Sequence, residues 1–135
     1  MAQIMISNPD SLGAPLGPYS HIARVKASEL IFIAGQVAVD KAGQIVGVDD
    51  FDAQCGQTFT NLAAALEAVG AGWANVVQFT TYLVHSQDVA KFMAHRAREF
   101  PRLFPTGAYP PNTLLIVDRL VAEPLLIEIQ AIATL

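Results

Sequence analysis

The fold is decided by the stretch at positions 75–85, which reads NVVQFTTYLVH. It is dense in β-branched and aromatic residues, the types that fit the pleated surface of a sheet. A surface loop would not carry so many of them in a row. We therefore predict a central strand here, and the segments on either side of it determine what covers the sheet.

A helix is predicted before this strand. Asp49 or Asp50 can cap its N-terminus, and Gly70 can close its C-terminus. Apolar residues recur between these ends at steps of three and four: Phe51, Cys55, Phe59, Leu62, Leu66 and Val69. This spacing predicts one buried face. Because Cys55 lies in phase with that face, its thiol is predicted to be a core group rather than a nucleophile.

A second helix is predicted after the strand, capped by Ser86, and Pro101 and Pro105 bracket its end. One face carries Val89, Phe92, Met93, Arg96 and Phe100. Arg96 has two interpretations: its guanidinium binds a substrate carboxylate, or its stem crosses the apolar face and the charge reaches solvent. Spacing alone favours the second interpretation, and the neighbouring His95 and Arg98 are predicted to lie on a solvated face.

Four shorter strands are predicted, at positions 21–26, 30–34, 113–120 and 125–133. The first two would form a hairpin around 27–29, and the last two would be joined by 121–124. The segment 13–19, rich in Gly and Pro, is predicted to be an ordered loop. The order of strands, helix, strand, helix and strands predicts an α+β domain with both helices on one face of a mixed sheet. The other face would then be buried between copies of the chain.

Composition supports one domain spanning residues 1–135. Hydrophobic residues make up 53% of the 135 and charged residues only 15%, so the folded monomer is expected to leave apolar surface for a homo-oligomer. The net charge of −4 and the absence of any run of Lys or Arg weigh against nucleic acid and anionic membranes as partners. With a lone cysteine and an N-terminus that does not resemble a signal peptide, we expect a cytoplasmic protein.

Two positions suggest chemistry. Glu128 is the only ionisable residue in the apolar stretch 125–132. A carboxylate in such a strand can serve as a general acid or base. Alternatively, Glu128 is exposed to solvent on the polar face of the strand. Gly35 ends the apolar strand 30–34, where a glycine lets backbone approach a ligand, or simply marks a bulge. The sequence supports the catalytic and the solvent-exposed interpretation of Glu128 equally, and it favours a bulge at Gly35.

Other classes of site lack support. The three histidines, His21, His85 and His95, stand far apart without paired spacing, which argues against a metal site. No nucleophile elbow, phosphate loop or dinucleotide-binding glycine motif occurs in the sequence. We therefore expect neither a metal nor a nucleotide cofactor.

Several segments, in the same order along the chain, resemble those of the reactive intermediate deaminase (Rid, YjgF-like) family. They are APLGPYS at 14–20, IFIAGQ at 31–36, QTFTNL at 57–62, AVGA at 68–71, NVVQFTTYL at 75–83 and IEIQAIA at 127–133. The resemblance implies a chorismate-mutase-like α+β fold and a homotrimer with ligand clefts between subunits. It also implies hydrolysis of small enamines or imines such as 2-aminoacrylate, without a cofactor. By position, Tyr19 would line the cleft, Gly35 would offer backbone contact, and Glu128 would hold the attacking water.

One departure from the family puts that activity in question. Where the deaminating branch has Pro-Ala-Arg-Ser, this chain reads Pro110-Pro111-Asn112-Thr113, so Asn112 stands in place of the arginine that clamps the substrate carboxylate. Arg96 on the second helix would then be a substitute cation. The alternative to a deaminase is a non-catalytic trimer that binds a small metabolite; ribonuclease action, claimed for relatives, is disfavoured by the acidic charge.

Overall fold

The structure is a computed structural model that describes residues 2–135. Its regular elements, in chain order, are β1 (Gln3–Ser7), β2 (Ile22–Lys26), β3 (Leu30–Gln36), α1 (Phe51–Ala68), β4 (Val76–Leu83), α2 (Asp88–Leu103), β5 (Asn112–Ile116) and β6 (Ile127–Thr134). A short 3-10 turn at Trp73–Asn75 leads into β4. Within the described residues, neither helix is long and apolar enough to cross a membrane.

The main sheet has four strands in the order β3-β6-β4-β5. β4 pairs in parallel with β5 and antiparallel with β6, so the sheet is mixed and β4 is one of its two central strands. Along β6 the odd-numbered residues from Ile127 to Ala133 are buried against the helices, whereas the even-numbered Glu128 and Gln130 lie on the opposite face. The predictions of an α+β fold, a mixed sheet and a central strand at 75–85 are confirmed.

The first helix follows its sequence pattern closely. Asp50 caps it, with a carboxylate oxygen 3.1 Å from the backbone nitrogen of Ala53, which donates to it. Gly70 follows the helix with φ of +74°, the left-handed conformation that ends helices at glycine. Phe59 and Leu62 pack in the core with Phe79 of β4 and Phe100 of α2. Cys55 belongs to the same cluster, which confirms the prediction of a core thiol.

The second helix begins one residue later than predicted, at Asp88. The backbone nitrogens of Asp88 and Val89 donate to the carbonyls of His85 and Ser86, forming a turn that precedes the first helical residue. Gln87 takes the cap position, and no side-chain capping bond forms there within the described chain. Ser86 as a cap was therefore wrong, because its backbone is already used in the turn.

The predicted hairpin between the strands at 21–26 and 30–34 is also wrong. β2 pairs with β1, a strand that the sequence analysis missed, and β3 pairs with β6. The intervening link is held elsewhere: the backbone nitrogens of Ser28 and Glu29 lie 3.0 and 3.1 Å from the carbonyl of Leu135, to which they donate. The C-terminus thus fixes the turn and directs the two strands into different sheets.

The face of the main sheet opposite the helices is uncovered in the single chain. Leu30 and Phe32 on β3 are 59% and 72% exposed, and Leu115 on β5 is also exposed. β5 ends at Ile116 rather than at Leu120, so the chain from Val117 onward is a loop beside this face. These side chains give the uncovered face an apolar character.

Candidate functional site

Glu128 lies half-buried on the uncovered face of the sheet. β6 places it directly opposite Tyr82 of β4, and the Tyr82 hydroxyl donates to the side-chain oxygen of Gln130 over 3.3 Å. The main chain on both sides of Glu128 is held by ladder bonds to β4. Its carboxylate is therefore mounted on a rigid central strand with polar neighbours on the same face.

Gly35 lies against the Glu128 side chain. A carbon atom added at Gly35 would overlap a carboxylate oxygen of Glu128 and would lie 2.7 Å from Cδ and 2.8 Å from Cγ. The register between β3 and β6 shifts between Ile33 and Gln36, so Gly35 also lies in a bulge. The bulge interpretation of Gly35 is confirmed, whereas its backbone contact with a ligand stays a prediction. In addition, the missing side chain leaves the space that the Glu128 carboxylate occupies.

The chain brings Arg119, a residue that sequence reasoning missed, to the same cavity as Glu128. This cavity of about 330 Å³ is lined by Tyr82, Val117, Arg119, Leu120, Val121, Glu128 and Gln130. The Arg119 guanidinium is held by the carbonyls of Leu120 and Val121 at 3.0 and 3.2 Å, and it pairs with Glu123 at 2.8 Å. Arg119 is the only Lys or Arg after position 102, and this isolation is the sequence feature that could have identified it as a candidate site residue.

Gln54 is a second residue that the sequence did not single out. It is fully buried in α1, where its amide nitrogen donates to the carbonyls of Gly47 and Pro124 at 3.1 and 2.8 Å. Its side-chain oxygen accepts from the backbone nitrogen of Leu126 at 2.8 Å. Gln54 thus fixes the chain two residues before Glu128 and orients the start of β6.

Tyr19, Arg96 and Asn112 meet in a different cavity, of about 370 Å³. Its remaining walls are formed by Leu16, Gly17, Val89, Met93 and Leu114. The loop at 13–19, α2 and the edge strand β5 each contribute one of the three polar residues. Within one chain the structure therefore brings together three of the five predicted site residues, and it places Glu128 and Gly35 elsewhere.

Arg96 is buried, contrary to the interpretation that its charge reaches solvent. Only 3% of the residue is exposed, and its guanidinium carbon lies 4.6 Å from the centroid of the Phe92 ring and 5.8 Å from that of Phe100. Nη2 is 3.0 Å from the sulfur of Met93, whereas Nε and Nη1 have no hydrogen-bond partner among residues 2–135. Burial lowers the pKa of Arg96 to about 10, so the group is still a cation at neutral pH.

The two other polar residues of this cavity are held by neighbours. The Thr81 hydroxyl donates to the side-chain oxygen of Asn112 over 2.7 Å. The Tyr19 hydroxyl accepts from the backbone nitrogen of Leu16 at 3.2 Å, which orders the loop over the cavity. Asn112 and Tyr19 are therefore oriented before any ligand binds.

Two titratable residues of the core take no part in either cavity. His95 was predicted to lie on a solvated face, but it is buried and stacks on Phe59 with ring centroids 5.0 Å apart, and this burial lowers its pKa. Burial likewise raises the pKa of the Cys55 thiol to about 12. Among residues 2–135, no cluster of three or more His, Cys, Asp or Glu residues could hold a metal ion.

Comparisons with known proteins agree with this architecture. The family model described as endoribonuclease L-PSP matches residues 10–135. A RutC family protein from Pyrococcus horikoshii is 39% identical over 120 residues, covering 88% of each chain. The 2-iminobutanoate/2-iminopropanoate deaminase of Salmonella typhimurium is 31% identical over 121 residues, covering 89% of each. A crystal structure of a conserved Rid family protein from Yersinia pestis superposes with a TM-score of 0.84 at 34% identity, covering 98% of each chain.

Proposed function

The chain belongs to the Rid (YjgF-like) family, and on that premise we propose that it hydrolyses a small imine or enamine to a carbonyl compound and ammonia. The observation that carries the proposal is the contact between Glu128 and Gly35, which leaves a half-buried carboxylate on an open, rigid sheet face. A relative named as a deaminase of 2-iminobutanoate and 2-iminopropanoate supports the same class of reaction.

The chemistry needs one proton carrier and one water molecule. Glu128 accepts a proton from water as the water oxygen bonds to the carbon of the C=N group, and it passes that proton to the imine nitrogen. The resulting carbinolamine gives its hydroxyl proton, through Glu128, to the nitrogen; the C–N bond breaks, the C=O bond forms, ammonia leaves and the carboxylate is restored. An enamine first takes a proton on carbon and loses one from nitrogen to become the imine. A positioned carboxylate contributes about 10²- to 10⁴-fold in rate to such proton transfers.

A homotrimer would bring the two cavities together. In one chain Glu128 and Arg96 line separate cavities, so a cleft containing both requires two copies. The exposed Leu30 and Phe32 on the uncovered face supply apolar surface suited to such an interface. Native mass spectrometry should find three times the 14.4 kDa of the chain; a monomer at micromolar concentration would contradict this assembly.

Ammonia release from freshly generated 2-aminoacrylate, 2-aminomuconate and larger imines tests the reaction. Glu128→Gln should lower the rate by at least about hundredfold, because an amide cannot accept the proton. Glu67→Gln, an exposed carboxylate on α1, makes the same charge change away from the site and should leave the rate unchanged. Equal rates for Glu128→Gln and the wild type would refute the proposed role of Glu128.

A non-catalytic metabolite-binding protein is the second candidate. The observation in its favour is that the Arg96 cavity is formed within one chain, without Glu128 among its walls. This candidate predicts saturable binding of a small acid without ammonia release from any imine. Thermal denaturation with and without the acid detects such binding, since a ligand at 100 times its dissociation constant adds about 2.7 kcal/mol of stability.

A further inference from the structure

Arg96 is a buried cation that has no counter-ion among the described residues 2–135. The side-chain ion pairs among residues 2–135 join Lys91 to Asp88, Arg102 to Glu99 and Arg119 to Glu123, and none of them includes Arg96. Two of its guanidinium nitrogens are buried without any hydrogen-bond partner in this part of the chain. A charge removed from water in this way is strongly unfavourable unless an anion compensates it.

The surroundings of Arg96 compensate the charge only in part. The rings of Phe92 and Phe100 interact favourably with a guanidinium, but they supply no hydrogen-bond acceptor. The sulfur of Met93, next to Nη2, is a weak acceptor on a flexible side chain. A carboxylate oxygen that displaced Met93 would replace a weak bond by a charge-assisted one.

Asn112 provides a second donor for the same anion. Its side-chain oxygen already accepts from Thr81, so the amide nitrogen is the polar group it has left to offer. Asn112 and Arg96 line one cavity although they are sixteen positions apart in the chain. Together they present one charged donor and one neutral donor, an arrangement suited to a carboxylate.

Apart from Arg96, Asn112 and Tyr19, the cavity wall is mainly aliphatic, and the cavity is larger than a three-carbon acid requires. Leu16, Val89, Met93 and Leu114 contribute aliphatic walls to a volume of about 370 Å³. A ligand that fills the cavity would need an apolar side chain in addition to its carboxylate. The favourable free energy of binding grows in proportion to the apolar area of that side chain that the aliphatic walls bury.

We infer that Arg96 is the carboxylate-binding residue of this protein, and that the cavity selects 2-imino acids with a branched or extended apolar side chain. The identity of the reacting group rests on the proposed function, whereas the selection of an apolar carboxylate rests on the cavity alone. Arg96 thereby takes the role that the Rid family arginine would have at Asn112. The substrate would be anchored from α2 rather than from the edge strand.

Calorimetric titration of the wild-type protein with three stable probes tests the selection without requiring turnover. We expect 4-methyl-2-oxopentanoate to bind at least about tenfold more tightly than 4-methylpentan-2-one, which lacks the carboxylate, and than pyruvate, which lacks the apolar side chain. Equal affinity for the acid and the ketone would overturn the role of Arg96. Equal affinity for the two acids would overturn the apolar selection.

Two matched variants assign the effect to Arg96. Arg96→Met should weaken binding of 4-methyl-2-oxopentanoate by roughly ten- to a hundredfold without lowering the melting temperature, because the desolvated charge is removed together with its anion site. Arg98→Met removes the same charge from an exposed position two residues away and should bind like the wild type. Unchanged binding by Arg96→Met would overturn the inference, as would dissociation of the assembly with binding intact, the result expected if a partner's carboxylate pairs with Arg96.

The same measurements separate this inference from the proposed reaction. Binding of 4-methyl-2-oxopentanoate that depends on Arg96, without ammonia release from any imine, supports the inference and refutes the deaminase. Full turnover by Arg96→Met supports the deaminase and overturns the inference. Should Arg96→Met not fold, Arg96→Lys retains the charge and loses the planar donor set, and it should bind the acid less tightly than the wild type but more tightly than the ketone.

Discussion

Substituting Gly35 by alanine should lower the rate of ammonia release, because the added methyl group displaces the carboxylate of Glu128. The backbone at Gly35 is not in the left-handed region, so glycine is needed there for space rather than for conformation. The added methyl carbon would overlap a carboxylate oxygen and would lie 2.7 Å from Cδ and 2.8 Å from Cγ of Glu128. Non-bonded carbon atoms in proteins essentially never approach this closely, so the whole carboxylate must move away from β3.

The cost in stability should be modest and the cost in activity large. Overfilling a packed site typically costs about 1–3 kcal/mol, and the half-buried Glu128 can rotate outward, which favours the lower part of that range. A carboxylate displaced by a rotamer change no longer reaches the attacking water. The rate of ammonia release should therefore fall by at least about hundredfold, as for loss of a general base.

A double-mutant cycle with Glu128→Ala isolates the contact. If the methyl group clashes with Glu128, Gly35→Ala should destabilise the wild type by about 1 kcal/mol in urea unfolding and the Glu128→Ala protein by less than about 0.5 kcal/mol. Gly13→Ala is the matched control, since an added carbon there meets nothing within 4 Å. An equal cost of Gly35→Ala in both backgrounds, or full activity in the single variant, would refute the reasoning.

Two further predictions concern the assembly and the core. Mixed trimers refolded from equal amounts of Glu128→Gln and Arg96→Met chains should regain about a quarter of wild-type turnover of a branched 2-imino acid. In a random assembly, about half of the clefts receive an intact Glu128 and about half of these also receive an intact Arg96 from the neighbouring copy. No recovery of turnover would contradict a cleft shared between copies. Because the folded-state pKa of His95 is lowered by burial, the unfolded chain binds a proton more readily and stability should fall as pH drops below about 6.5, the ordinary histidine value. His95→Phe should lose this part of the slope in urea unfolding between pH 5 and 7; parallel profiles would exclude His95 as its source.

Local patterns predicted the elements whose causes are local. α1 was predictable because its cap at Asp50, its apolar repeat and the glycine at position 70 all act within one segment. The central strand β4 was predictable because its composition leaves few other conformations. The hairpin failed because strand pairing is decided by distant partners, here β1 and the C-terminal residue Leu135.

The errors on α2 have a common physical cause. Its periodicity indicates the face toward the sheet, but α2 also packs against α1, where His95 meets Phe59. A helix with two buried sides carries a wider buried sector than a single amphipathic stripe suggests. His95 therefore looked solvated in the sequence, and Arg96, next to it, looked free to reach solvent. Gln54 was missed because its three partners, Gly47, Pro124 and Leu126, are all loop or strand-entry backbone that no sequence motif identifies.

The departure at Asn112 has a different meaning in three dimensions from its meaning in sequence. From the sequence, the interpretation of Asn112 as a replacement for the family arginine predicts a site without a cation. In the fold, Arg96 and Asn112 line the same cavity, so this cavity does contain a cation, which position 96 carries. The guanidinium of Arg96 lies against the rings of Phe92 and Phe100. Its interaction free energy with an anion should be more favourable there than for a fully hydrated guanidinium, because less water competes for the hydrogen bonds. We therefore expect the charge of the cavity, rather than the residue at position 112, to determine which acids this protein binds.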